Sequence, residues 1–430
     1  MAEVLYYILN IGLAFLSVKT IGSVIQAIYR KQITGYVIFL PVYIIFFILP
    51  IFFDTLLGLG YNPDYHYITE AMGDILTNNL YLIYNVLLLL VFNYQFKYLM
   101  RFKTKKLDIV DERISLFLLR FFSSYKLIIF LSLATPFIIY LYYGADSYYS
   151  TYIGRTSSLV EIPAYHSFLS KIILLNIFLC SVLVTIILIK SKVSKLNIYV
   201  LILPIILLLL FYFWLHGKRS IVANYFLFQF ILLLITGVIS FKRMMGLAII
   251  ALISFVSFIS FYGKNISSDS SETYYKLRTD FSRDYGVKFT IYNDIIIDRP
   301  ILPEKLATFK FNALFFLPRS VYPNKPQPYA VYFTNSAFGN FGGDRLYGWG
   351  LTTSVFAESI SNLGFMGLLF APLVIMYIMY KEAKSNNSIF KLLSIAVSTL
   401  LLLLQPISFM VIILIYIILL IKGNKRYVVK

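Results

Sequence analysis

The sequence predicts an all-α polytopic membrane protein, and three observations predict it. Hydrophobic residues make up 59% of the 430 and charged residues only 13%, too few to clothe a soluble core with polar surface. Apolar runs close to twenty residues long recur along the chain, a length that crosses a hydrocarbon core of about 30 Å. Lys and Arg gather in alternate connections between those runs, the pattern of loops retained in the cytoplasm. Tyr and Phe, 36 and 39 in number, supply the aromatic anchoring that membrane interfaces favour.

In order, spans are expected near 4–28, 36–58, 79–99, 118–143, 167–189, 197–215, 220–239, 245–262, 350–380, 389–404 and 407–421, about eleven helices. The first run has neither a basic flank nor a small-residue cleavage site, so it reads as a retained helix rather than a leader. Gln405-Pro406 divides the last apolar run, which is too long for one comfortable crossing. Arg30-Lys31, Arg101 to Arg113, Lys190 to Lys195, Lys242-Arg243, Lys381 to Lys384 and Lys422 to Lys430 all fall on one side, read as cytoplasmic. The opposite connections, 59–78 and 144–166, hold almost no Lys or Arg apart from Arg155, which puts the N-terminus outside and the C-terminus inside. Three regions result: an N-terminal transmembrane bundle over 1–262, one long outer loop (periplasmic or extracellular) over 263–349, and C-terminal transmembrane helices over 350–430.

The net charge of +18 has two candidate sources, cytoplasmic loops and an anionic substrate. Two outer segments break the orientation rule. One is the turn His216-Gly217-Lys218-Arg219-Ser220. The other is the long loop, with Arg278, Arg283, Lys288, Arg299, Lys305, Lys310, Arg319, Lys325 and Arg345. Cations on the translocated face work against topology, so they need another use. In the turn, Lys218 and Arg219 sit at headgroup level, and Ser220 is placed to cap the next helix. Two cations beside a helix N-terminus suit a phosphate or diphosphate; snorkelling side chains are the plainer reading. His216 is either an interfacial aromatic or a base.

Within the loop, Tyr274, Leu277, Phe281, Tyr285 and Tyr292 recur at near-helical spacing, predicting an amphipathic helix over 272–292 on the membrane or the bundle, weakened at Gly286. Arg278 and Arg283 would flank its stripe as substrate ligands, or pair locally with Asp280 and Asp284. Residues 306–317 are apolar but too short to span, which suits a re-entrant or interfacial segment. Pro318, Pro323 and Pro326 stiffen the chain directly after it, so that Arg319, Tyr322 and Lys325 either clamp a glycan or phosphate or belong to a rigid lid. Gly339, Gly342 and Gly343 mark turns. Beyond the loop, Ser354, Glu358 and Asn362 lie four residues apart on one helical face, with Glu358 expected about 12 Å into a helix beginning at Gly350. A carboxylate at that depth costs roughly 2 to 3 kcal/mol unless paired or hydrated. It is either an internal partner for Arg219 or Arg319, or a general base.

The sequence also narrows the chemistry. It has no P-loop, dinucleotide fingerprint, zinc-protease motif or Cys/His cluster, and no Asp-x-Asp pair in an outer loop. The expected chemistry needs no metal and no cofactor, and uses a substrate activated beforehand. The single cysteine, Cys180, lies in an apolar run, so neither a disulfide framework nor thiol chemistry is expected. The basic residues punctuate spans instead of forming a face, so nucleic acid is not an expected partner.

The turn Gly217 to Ser220, the segment Arg278 to Arg283, the run Pro318 to Pro326 and the Ser354, Glu358, Asn362, Gly364 pattern together resemble Wzy-type polysaccharide polymerases, which join O-antigen or capsule repeat units. The resemblance covers most of the chain loosely and its last third more closely. It implies a large membrane glycosyltransferase of the GT-C-like type in the bacterial cytoplasmic membrane, with its active site facing the periplasm. Such an enzyme transfers a growing glycan from undecaprenyl diphosphate onto a lipid-linked repeat unit. The implied partners are undecaprenyl-diphosphate-linked oligosaccharides and membrane lipids, with a chain-length regulator left open. Lys218, Arg219 and Arg319 would meet the charge of the leaving diphosphate, Glu358 or His216 would take the acceptor proton, and Tyr322 and Tyr329 would stack on sugar rings. An O-antigen ligase and a lipid-linked oligosaccharide flippase are the alternatives.

Overall fold

The computed structural model describes residues 2–30, 34–57, 60–61, 63–101, 112–143, 164–193, 198–216, 219–236, 246, 274–275, 278, 282–343, 351–385 and 387–421. Among them there are helices and connections but no strand. Among the described residues six stretches are long and apolar enough to cross a membrane: Ala2–Tyr29, Tyr36–Leu56, Ile75–Arg101, Phe122–Tyr142, Ile172–Lys190 and Val355–Lys384, the last interrupted at Gly364. Val200–Leu215, Phe390–Leu403 and Ile412–Ile421 are shorter apolar helices. The chain is an α-helical membrane protein. The expected span 245–262 lies outside the described residues except for Gly246.

Two compact units form, one from Met1–Lys106 with Ser260–Lys430 and one from Leu107–Ile259. The first contains α1 (Ala2–Tyr29), α2 (Tyr36–Tyr43), α3 (Leu49–Leu57), α4 (His66–Gly73) and α5 (Ile75–Arg101). The second contains α6 (Glu112–Tyr143), α7 (Ala164–Val193), α8 (Ile198–His216) and α9 (Arg219–Thr236). The first unit resumes with α10 (Asp284–Ile291), α11 (Ala307–Ala313), α12 (Tyr329–Ala337), α13 (Val355–Leu363), α14 (Gly367–Lys384), α15 (Ser388–Leu403) and α16 (Met410–Ile421).

α1 shows why these helices pair. Its outer face is Val4, Ile8, Ile11, Phe15 and Val18, all exposed, whereas Asn10, Leu13, Ser17, Thr20, Val24 and Ala27 are buried. Apolar surface gains nothing by leaving lipid, so small and polar residues make the interface. The Asn93 amide donates to the Thr20 hydroxyl at 2.6 Å and ties α5 to α1. Tyr43 donates to Asn85 at 2.5 Å, Tyr84 to the Leu368 carbonyl at 2.9 Å, and Gln95 to the Met376 carbonyl at 2.9 Å. At the far end of α14, buried Glu382 accepts the Gly35 amide at 3.2 Å. In the second unit, Asn176 plays the same part: Ser132 donates to it at 2.6 Å and it donates to Tyr212 at 3.3 Å, beside buried Cys180.

The expected span 350–380 is two helices, not one. α13 ends at Gly364, whose φ of 59° and ψ of −135° are open only to glycine. The chain then reverses, so that a Cβ on Gly367 would stand 2.2 Å from the Ser359 carbonyl oxygen. α13 is thus a short buried helix folded back on α14.

Candidate functional site

The loop that the sequence lays on the surface is inserted into the first unit. α10 spans Asp284–Ile291, and every residue of it is buried. Its apolar side meets Phe333 and the helix of Phe356, and a Cβ placed on Gly286 would meet the Ala357 methyl in ordinary contact at 3.8 Å. Its polar side meets Asp54 and Tyr81 from helices near the other end of the chain. Residues 276–277 and 279–281, which carry Leu277, Asp280 and Phe281, lie outside the described residues.

Two interrupted helices hold the insertion. Between α2 and α3 the chain makes a π-helical turn, Ile44–Ile48, followed by Pro50. Pro50 has no N–H to offer the Phe46 carbonyl, and the Arg283 amide donates there at 2.8 Å. The Arg283 guanidinium Nε donates at 2.9 Å to the Leu403 carbonyl, left open where α15 ends ahead of Pro406. Arg283, expected to bind substrate, spends these donors on backbone.

Arg278 follows the second of its two readings, local pairing with Asp284, and adds a partner distant in sequence, Asp54. Its Nε and Nη2 donate to Asp54 at 2.9 and 2.8 Å, and its Nη1 and Nη2 donate to Asp284, both at 2.6 Å. Tyr274 also donates to Asp54. Lys288 completes the cluster, 3.9 Å from Asp284 and 5.3 Å from the centre of the Tyr81 ring. Burial lowers its ammonium pKa, which Asp284 only partly opposes. Two cations against two carboxylates make a closed, neutral knot.

α13 carries the polar face read from Ser354, Glu358 and Asn362, and all three are buried. The helix begins at Val355, not Gly350, so Glu358 stands in its first turn. Ser354 is the N-cap, accepting from the Ala357 amide at 3.5 Å. Asn362 sews α11 to α13: its amide donates at 2.6 Å to Thr308, and its oxygen accepts the Thr308 amide at 3.3 Å. At the neighbouring position, Ser361 donates to Asp294 at 2.6 Å and sits 3.0 Å from the Tyr329 hydroxyl. Tyr329 is therefore a buried hydrogen-bonding residue and not a sugar platform. Burial raises the Asp294 pKa, with Ser361 and the Ile301 amide opposing.

Glu358 keeps chemical capacity in reserve. Oε1 accepts from the Asn312 amide at 2.7 Å, while buried Oε2 has no hydrogen bond of good geometry, although Thr308 is close enough to interact with the carboxylate. Its described partner is not Arg319. That residue is exposed and donates to the Lys325 and Pro326 carbonyls at 2.7 and 3.2 Å. Lys325 is buried, donating to the Phe315 and Leu317 carbonyls at 2.8 Å each beneath the Phe311 ring. The two cations thus fasten a stiff loop, leaving Arg319 outward and Tyr322 half-buried.

In the second unit, α9 begins at Arg219, so Ser220 lies inside its first turn and not ahead of it. Lys218 lies outside the described residues, as do the side chains of His216, Arg219 and Ser220. Arg345 falls in the undescribed segment 344–350.

Sequence reasoning missed Asp294, Asn312 and Ser361 as members or partners of this face, and Asp54 as the partner of Arg278. A lone acid in the last turn of an apolar helix was the available signal for Asp54. Among the described residues no group of three or more His, Cys, Asp or Glu could hold a metal ion. No protein-family model, curated protein or solved structure matches the chain.

Proposed function

We propose that the chain is a membrane glycosyltransferase of the polysaccharide-polymerase kind, working at the outer face of a bacterial cytoplasmic membrane. The observation that carries this reading is Glu358, a buried carboxylate with one oxygen unsatisfied under a short loop helix whose following segment presents exposed Arg319. An acceptor sugar hydroxyl attacks the anomeric carbon of the donor glycan, and the bond from that carbon to the lipid diphosphate breaks. The acceptor proton passes to the Glu358 carboxylate, and the leaving diphosphate is met by the Arg319 guanidinium. Glu358 is buried, so α11, which carries Asn312 against it, must shift for substrate to reach the unsatisfied Oε2. The turn at Lys218 and Arg219, in the other unit, is a second place where a lipid diphosphate can be held.

The test is a product ladder from a synthetic undecaprenyl-diphosphate repeat unit, with protein in nanodiscs and no nucleotide added. Wild type is expected to build the ladder. Glu358→Gln should slow each addition by about a hundredfold or more, in the range of a lost general base, with unchanged thermal unfolding. Arg319→Ala should lose a similar amount. Transbilayer movement of the lipid without a ladder would replace this reading with a transporter.

A further inference from the structure

The connection between α3 and α5 meets the long loop at Arg299. That residue is fixed from beneath: its amide donates to the Asn293 carbonyl at 2.7 Å and its Nε to the Asn293 side chain at 2.8 Å. Its guanidinium carbon lies 4.2 Å from the centre of the Phe341 ring and 5.1 Å from that of Tyr67. Gly339 brings the 338–341 turn there. Its φ is 88°, and a Cβ in its place would stand 2.6 Å from the Tyr67 ring.

The ion pair in this patch is open. Arg299 Nη2 is buried without a hydrogen bond, and Glu70 Oε2 is 3.7 Å away, beyond hydrogen-bond reach. Tyr292 donates to the other Glu70 oxygen at 2.8 Å, which holds the carboxylate in place. The Arg299 and Glu70 side chains remain 31% and 40% exposed. Alongside them, the Phe338 ring is 49% exposed and packs 5.4 Å from Tyr65.

We infer that this surface is a carbohydrate-binding subsite. Adjacent ring hydroxyls of a sugar offer one acceptor to Arg299 Nη1, the guanidinium donor open to solvent beside the buried Nη2, and one donor to Glu70. The apolar C–H face of the same glycan lies on Phe338 and Tyr65. The Arg299–Glu70 pair is neutral and Asp74 lies close by, which suits a neutral glycan better than a phosphate or an anionic headgroup. The inference deepens the proposed function, on which its choice of a glycan rests, by giving the extended substrate a second hold away from Glu358.

The experiment is binding of the full chain in nanodiscs to an array of bacterial repeat-unit oligosaccharides, which needs neither turnover nor a lipid carrier. Wild type should retain at least one glycan. Glu70→Gln, Arg299→Ala and Phe338→Ala should each weaken that binding about tenfold, the order of one lost charge-assisted hydrogen bond or stacking contact. Phe338→Ala removes a half-exposed ring, so it gives a reading even if Arg299→Ala fails to fold. A blank array, or binding unchanged in the variants that fold, overturns the subsite and shows the rings to be interface anchors. The ladder assay fails separately. A ladder with a blank array leaves the polymerase reading standing without the subsite, and binding lost in the variants without a ladder leaves the reverse.

Discussion

Arg278 holds two carboxylates at once, so among the described residues removing it leaves Asp54 with only Tyr274 and Asp284 with only the distant Lys288 ammonium. Arg278→Ala is expected to cost about 3 to 5 kcal/mol of stability, the range for breaking a buried pair from one side, read by thermal unfolding in detergent. Arg278→Lys should recover little of it, because a single ammonium cannot reproduce the fork shared between two carboxylates. A substrate ligand would behave otherwise, losing activity in a protein of wild-type stability. Asp294 gives a pH signature. Its folded-state pKa is raised, so the folded chain takes up the proton at a higher pH than the unfolded chain does. The wild type should therefore gain stability relative to Asp294→Asn as pH falls from neutral through that raised pKa. A difference in unfolding temperature that is flat across this range would show that the carboxyl is solvated.

At the level of elements, the α13–α14 reversal depends on a missing side chain. Gly367→Ala puts a methyl carbon into the Ser359 carbonyl and should cost about 3 kcal/mol, as overpacking against backbone does. Gly22→Ala on α1, where a Cβ meets nothing within 4 Å, should be neutral or slightly stabilising; unfolding curves of the two variants make the comparison. The same contrast explains what was legible in the sequence. Hydropathy located α1, α5 and α7, because an apolar run of that length has few other fates. It also placed Ser354, Glu358 and Asn362 on one buried face, since i, i+4 spacing is a local property. It read 350–380 as one span because hydropathy averages over the Gly364 reversal. It laid a helix over 272–292 on the membrane or on the bundle, because aromatic spacing reveals a stripe but not what covers the opposite side. The cover here is Asp54 and Tyr81, distant in sequence, and no local pattern announces such partners. Arg283 was misread for a related reason: its role exists only because Pro50 and Pro406 leave two carbonyls open in other helices.

For the whole molecule, the pairing of its connections makes a statement about sidedness. Tyr292 and Glu70 share a hydrogen bond, and Arg278 reaches Asp54, so the connection before α5 and the long loop occupy one end of the first unit. Gly35 bonds Glu382 at the other end, where α5 finishes at Arg101 and α14 at Lys384. The charge rule predicts which end is which: Arg101 and Lys384 flank basic connections, expected in the cytoplasm, and the 59–78 connection, almost free of Lys and Arg, is expected outside. Cys180 is the only cysteine in the chain and lies in an apolar cluster, so a Cys180→Ala background removes the competing thiol without burying a hydroxyl. On that background Asp64→Cys and Asn324→Cys should react with a membrane-impermeant maleimide in intact spheroplasts, whereas Arg101→Cys and Lys384→Cys should react only after lysis. Labelling of all four before lysis would mean that the helices do not span. Labelling of 64 and 324 from opposite sides would break the contact between the two outer connections, and with it the surface on which Arg299 and Glu70 meet.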